Sequence, residues 1–204
     1  MFAWPAALIL LLSPPGLTSS PEQPYVPMEG DLIFQSLPKG DLVKAIEGIS
    51  GSHYSHVGII FHKQDGWYVR EAVGDVHDTA LAAWEARGRF HHAFDVFRLR
   101  PEYQQYVPAM VQRSAAYLGR PYDYKYDMDD AHIYCSELVY KAMLDASGIR
   151  LGKLQRLGDL NWQPYRRTIE AYEGGKPPLE REMVTPRSMS EAPELVEVHH
   201  GYPD

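Results

Sequence analysis

Ser55-His56-Val57-Gly58-Ile59-Ile60-Phe61-His62-Lys63-Gln64-Asp65-Gly66-Trp67-Tyr68-Val69-Arg70-Glu71-Ala72-Val73 reads as two strands joined by a tight connection. Val57 to His62 is β-branched and apolar, as a buried strand requires. Lys63-Gln64-Asp65-Gly66 is a four-residue turn, and Trp67 to Val73 resumes as the second strand. If the turn pairs His62 with Trp67, then Ile60 faces Val69, Gly58 faces Glu71 and His56 faces Val73. Side chains alternate along a strand, so His56, Gly58, Glu71 and Val73 share one face. Glu71 is the diagonal neighbour of His56, roughly 7–8 Å away before the side chains extend. A slip of one residue would move the whole set to the other face. A carboxylate on a bulky apolar face needs a partner, because a lone buried charge is costly. His56 is the nearest candidate, with Arg70 and Arg98 as the competing ones.

Working outward, Asp31 to Phe34 and Phe94 to Leu99 are further strand candidates. Leu42, Val43, Ile46 and Ile49 lie at helical spacing in Gly40 to Ile49. Thr79 to Ala86 reads as a helix with Thr79 as N-cap. Tyr103, Val107, Met110, Val111, Ser114 and Leu118 trace another helix, which Gly119-Arg120-Pro121 ends. After the tyrosine- and aspartate-rich Tyr122 to Asp130, a second long helix runs from about His132 to Ala146. Met183 to Pro186 reads as an edge strand ending at the proline. Strands first and helices later, with hairpin links, predict an α+β fold on an antiparallel sheet. Ser20 to Glu29 is a proline-rich lead-in, and residues 21–204 form a single domain.

On the second long helix, Cys135, Leu138, Val139, Ala142, Met143 and Ala146 form one apolar stripe. Glu137 and Lys141, four apart on the opposite face, read as a favourable surface pair. Cys135 therefore sits in the first turn, facing the core. Unpaired N–H groups at a helix start favour thiolate over thiol and can hold an oxyanion. A lone cysteine is as readily a small buried hydrophobe. The matched pair of His56 and Glu71 supplies what such a thiol needs, a base and a group to orient it. Tyr54, Tyr134 and Ser136 flank these positions and are candidates for substrate or oxyanion contacts. His53 and His56 are three apart, and His91-His92 and His199-His200 are adjacent pairs. None gives the convergent ligand pattern of zinc, so no metal and no cofactor is expected.

The chain has 204 residues, 45% apolar and 23% charged, with a formal net charge of -7. The acidic balance excludes a basic face for nucleic acid. It also disfavours docking on anionic lipid. Phe2 to Leu12 is apolar but too short to span a bilayer, so no stable membrane span is expected. Ending at Ser13-Pro14-Pro15-Gly16, with small Thr18-Ser19-Ser20 beyond, residues 1–20 read as a signal peptide, which makes the protein secreted or periplasmic. Cys135 is the single cysteine, so there is neither an internal disulfide nor a lipid-anchor cysteine near the N-terminus.

Gly30-Asp31-Leu32-Ile33-Phe34, Ser55-His56-Val57-Gly58-Ile59, Arg70-Glu71-Ala72-Val73 and Tyr134-Cys135-Ser136-Glu137-Leu138-Val139 resemble the permuted papain-like amidases. These form the YaeF/YiiX branch of the NlpC/P60 superfamily, related to the lecithin retinol acyltransferase-like proteins. Val184-Thr185-Pro186 is similar to that family as well, and the resemblance runs from about Gly30 to Tyr202. It implies a circularly permuted papain-like fold, with histidine before cysteine in the chain. It implies Cys135 as nucleophile at a helix N-terminus, His56 as base and Glu71 as orienter. The substrate class it implies is a small amide, a peptide or an acyl lipid, cell-envelope derivatives included, since relatives act on all three. The rival readings are a lipid acyltransferase or phospholipase on the same residues, and an inactive binding module.

Overall fold

The computed structural model describes residues 25–203. Residues 1–20, read above as a signal peptide, lie outside them. Its centre is a six-stranded sheet built from β1 (Leu32–Gln35), β2 (His56–Lys63), β3 (Gly66–Val73), β4 (Asp75–Ala80), β5 (Phe94–Leu99) and β8 (Leu195–His200). The strand order is β4-β3-β2-β1-β5-β8, and every neighbouring pair is antiparallel. A two-stranded ribbon joins β6 (Gln155–Arg156) to β7 (Glu182–Met183). The helices are α1 (Asp41–Ser50), α2 (Leu81–Ala86), α3 (Arg89–His92), α4 (Val107–Ser114), α5 (Cys135–Ser147), α6 (Arg166–Glu173) and α7 (Pro186–Ser190).

Alternation sorts the sheet into two faces. Leu32, Phe34, Val57, Ile59 and Ala72 join Leu138, Ala142 and Met143 of α5 in the larger core. Ile33, Ile60, Val69 and Val96 point the other way, against Leu81 and Trp84 of α2. The hairpin keeps the register that its turn implies, with His62 opposite Trp67 and Ile60 opposite Val69. Gly58 is required by this packing. A Cβ there would fall 2.3 Å from Val69 Cγ1 and 3.0 Å from the Arg70 carbonyl oxygen, so a side chain would press on both. No helix of the described residues is long and apolar enough to cross a membrane.

Several expectations are corrected. Thr79 caps nothing: it sits in β4 opposite Val69, and α2 begins two residues later. Pairing with β3 outcompetes a cap that would leave β3 with an open edge. The helix expected from Tyr103 to Leu118 is interrupted, with 3₁₀ turns at Pro101–Tyr106 and Ala115–Tyr117 around α4. Pro108 lacks an N–H and is tolerated only in the first turn of a helix, so α4 starts there. The helix expected from His132 begins instead at Cys135. Glu137 and Lys141 do pair, at 2.8 Å, but Glu137 is fully buried. The 122–134 segment lies over that face, and Lys141 also bonds the carbonyls of Met128 and Asp129. Met183 to Pro186 is a strand only at Met183. Pro186 opens α7, whose cap is Thr185 accepting from the Ser188 N–H.

Candidate active site

His56 is the first residue of β2, and 1% of its surface is exposed. Beside it, Ser55 donates its N–H to the Gln35 carbonyl and accepts the Leu37 N–H on its hydroxyl. These bonds pin the chain where it enters the sheet. The ring stacks near Trp84 of α2, with centroids 5.9 Å apart and planes 29° from parallel. Its Nε2 lies 2.6 Å from Glu71 Oε2. That contact takes one ring nitrogen. Cys135 lies close enough to the ring to favour its protonated form.

Glu71 is fully buried, which a carboxylate tolerates only with good partners. It has three. His56 holds one oxygen together with the guanidinium of Arg87, and the Thr79 hydroxyl donates to the other. Neither Arg70 nor Arg98 is among them: Arg70 pairs with Asp78 and Arg98 with Asp31. Arg87 follows α2 and lies 16 residues from Glu71 in the chain, so no short spacing announces it. Thr79 reaches Glu71 because β4 turns back along β3.

Burial disfavours the charged ring of His56, but the hydrogen bonds to Cys135 and Glu71 outweigh it and raise its pKa to about 9. Burial likewise raises the Glu71 carboxyl, and the hydrogen bonds to His56 and Arg87 outweigh it, lowering the pKa to about 2. The pair is thus an ion pair over a wide pH range. Folded Glu71 keeps its charge below the ordinary carboxylate value of 4.5, so stability falls as pH drops from there toward 2. Folded His56 keeps its proton above the ordinary value of 6.5, so stability falls as pH rises from there through 9. Urea midpoints are therefore expected to be highest between these limits and to decline on both sides. The Glu71→Gln variant should lose the acid slope and show a weaker alkaline one, since Cys135 also raises the His56 pKa. Identical slopes in wild type and variant would show that the pair does not carry them.

Cys135 is the first residue of α5, 2% exposed. Tyr134 before it is extended, and its N–H donates to the Glu137 carboxylate at 3.1 Å, which fixes the helix start. The N–H groups of the first turn, at Cys135 and Ser136, have no partner within the helix. They point the positive end of α5 at the sulfur's surroundings. Cys135 and Ser136 also line a groove that runs along α1 and α6.

Of the other expected site residues, Tyr134 and Ser136 adjoin Cys135, but their hydroxyl protons are spent. Tyr134 donates to Met128 Sδ and accepts the Val184 N–H. Ser136 donates to the Val184 carbonyl at 2.8 Å. Tyr54 donates to Asp95 and packs against Phe34. As placed, all three buttress the fold rather than offer a free donor. Nearby, Tyr126 and Met128 hold positive φ values of 61° and 57°, uncommon for residues with side chains.

One cluster escaped the sequence. Asp95, Glu197 and His200 bring ligand atoms within 4.8 Å of one another. His53 Nε2 lies 3.8 Å from the same Asp95. Pairing of β5 with β8 sets Asp95 opposite His200, across more than a hundred residues of chain.

The chain also matches known proteins. A family described as permuted papain-like amidase enzymes, YaeF/YiiX, matches residues 26–199. The Escherichia coli (strain K12) protein YiiX, itself uncharacterized, is 35% identical over 193 residues, which cover 92% of this chain and 93% of that one. The crystal structure of a protein described as metalloprotein yiiX, from Escherichia coli O157:H7, superposes with a TM-score of 0.79. It shares 34% identity and covers 88% of this chain and all of that chain. With the hairpin, the helix start and the antiparallel sheet in hand, the chain belongs to the permuted papain-like amidase family, in its YaeF/YiiX branch.

Proposed function

We propose that the protein is a cysteine hydrolase that cleaves an amide bond through a thioester at Cys135. The observation that carries this is the buried cluster of Cys135, His56 and Glu71, with the imidazole bonded to the carboxylate and its protonated form favoured by the neighbouring sulfur. With His56 holding the proton, the Cys135 thiolate attacks the substrate carbonyl carbon to form a C–S bond. The N–H groups at the start of α5 hold the oxyanion. His56 then returns its proton to the nitrogen as the C–N bond breaks and the amine leaves. Water, deprotonated by the same ring, cleaves the thioester and frees the acid. Glu71 fixes the tautomer and steadies the imidazolium. The chain order His56, Glu71, Cys135 is the one a circular permutation of the papain-like arrangement produces. The substrate belongs to a secreted or periplasmic setting if residues 1–20 act as the leader their composition indicates. Acid-quenched reaction mixtures should contain the acyl group on the peptide bearing Cys135, and neutral hydroxylamine should release it. Turnover with the acyl group on another residue would overturn the scheme.

A bound cation is a second, separate reading, favoured by the description of the Escherichia coli O157:H7 relative as a metalloprotein. The donor set of Asp95, Glu197 and His200 fits it, since mixed imidazole and carboxylate ligands suit zinc and similar ions. Such an ion would tie β8 to β5 and supply structural cross-linking. Tyr54 and the Gly201 N–H already orient Asp95. Protein dialysed against zinc and then buffer is expected to retain about one equivalent by elemental analysis. The His200→Ala and Glu197→Ala variants should lose it. Equal retention in all three would place the metal elsewhere.

A further inference from the structure

A second cavity, separate from the groove at Cys135, holds about 1110 Å³ of free space, part of it open to solvent. Ser50, the 150–155 segment, α7 and residues 191–194 wall it, and its charges are mixed. Arg187 is spent on Glu191 and on the carbonyls of Ser50 and Gly51. Arg150 and Lys153 form no ion pair among the described residues, in a chain whose formal net charge is -7. Glu194 forms none either, and its Oε2 is buried without a hydrogen bond. Gln155 bonds Thr185 through Oε1, which leaves its amide Nε2 to donate. The wall that carries the two cations is fixed in place. Gly152 has a φ of 80°, and a Cβ there would fall 3.0 Å from Met189 Cα. Lys153 donates its N–H to the Ser188 hydroxyl at 2.7 Å, and that hydroxyl donates to the Lys153 carbonyl at 2.9 Å. The segment is thereby fastened to α7, and neither cation comes within ion-pair distance of Glu194 although all three line one space.

A carboxylate oxygen withdrawn from water without a partner is costly, and a cation brought by a ligand relieves that cost. A ligand that is only an anion would answer Arg150 and Lys153 and be repelled by Glu194. A ligand that is only a cation would meet the reverse. A molecule carrying both signs suits all three groups. The Gln155 amide adds a neutral donor for the anionic end. We propose that this cavity binds a small zwitterion, with its ammonium at Glu194 and its anionic end at Arg150 and Lys153. Two sources share that chemistry: the phosphoethanolamine head of a lipid, and a short peptide with free termini. Thr185 lines both this cavity and the groove at Cys135, so the two spaces adjoin. That the zwitterion is part of a substrate rests on the cysteine hydrolase reading, whereas its binding does not.

The test is a heteronuclear NMR titration of the full-length protein with O-phosphoethanolamine, glycylglycine, methyl phosphate and ethylamine. The two zwitterions should shift the amide signals of Gly152, Lys153 and Ser188, and at least one should bind more tightly than either single-charge probe. Glu194→Gln should weaken that zwitterion on the order of tenfold, the scale of a hydrogen bond to a charged group, while methyl phosphate binds as well or better. Arg150→Ala and Lys153→Ala, both at exposed positions, should each weaken the zwitterion and methyl phosphate alike by about threefold. Tighter binding of phosphoethanolamine identifies a lipid head as the source, and tighter binding of glycylglycine a peptide. Four results overturn the site: no shift with any probe, shifts confined to other residues, single-charge probes that bind as tightly as both zwitterions, or zwitterion affinity unaltered in Glu194→Gln. No turnover is read, so such a failure leaves the thiol chemistry standing, and an inert Cys135 leaves the binding result standing.

Discussion

Cys135→Ala is expected to lower amide turnover at least a thousandfold while leaving the cooperative unfolding of the protein intact. In the proposed mechanism the rate loss follows because no other group in the cluster can form the acyl-enzyme, His56 and Glu71 only preparing the sulfur. Residues that act as a unit fail as a unit, so His56→Ala should match the loss, and the double variant should cost little more than either alone. The two single variants should differ in stability. Removing one sulfur atom from a well-packed helix start is a small change, on the order of 1 kcal/mol. Removing His56 leaves Glu71 buried with Arg87 and Thr79 and takes away one of its cationic hydrogen-bond partners. Steady-state rates and urea melts on the same preparations read both effects. Residual hydrolysis in Cys135→Ala within tenfold of wild type would end the assignment.

Glu71→Gln is expected to reduce kcat by about 10- to 100-fold, because orientation and electrostatic support are only part of the machinery. It should also destabilise the protein by about 3 kcal/mol, the usual scale for breaking a buried ion pair from one side. Glutamine keeps an acceptor for Arg87 but loses the charge that holds His56 protonated up to about 9. The alkaline limb of the rate profile should therefore move to lower pH in the variant. A merely structural carboxylate would change the melting behaviour and leave that limb in place. A wild-type limb together with wild-type kcat in Glu71→Gln would remove Glu71 from the mechanism.

Much of this site could be read along the chain, for identifiable reasons. The His56–Glu71 pairing follows from a period of two and a short turn. Both are local, and Gly58 leaves the room that Val69 and the Arg70 carbonyl occupy. The stripe Cys135, Leu138, Val139, Ala142 is a helical period, and all four residues are buried on α5. Elsewhere local rules failed where a distant segment competed. Thr79 has the chemistry of a cap, yet β3 claimed it for pairing. Glu137 has the spacing of a surface residue, yet the 122–134 segment covers it. Leu195–His200 was not anticipated as a strand because an edge strand with Val196 and Val198 exposed shows little alternation.

What the amino-acid order determined by itself is therefore the hairpin, the helix bearing its only cysteine in the first turn, and the family to which these motifs point. Those depend on contacts within a few residues, where backbone periodicity dictates which side chains share a face. Only the tertiary structure decided that Arg87 and Thr79 complete the shell of Glu71, that Asp95 meets Glu197 and His200, and that α1 and α6 wall a groove beside Cys135. Each of these joins segments far apart in sequence, and their meeting is fixed by how two faces of one sheet bury their apolar side chains, which no local pattern encodes.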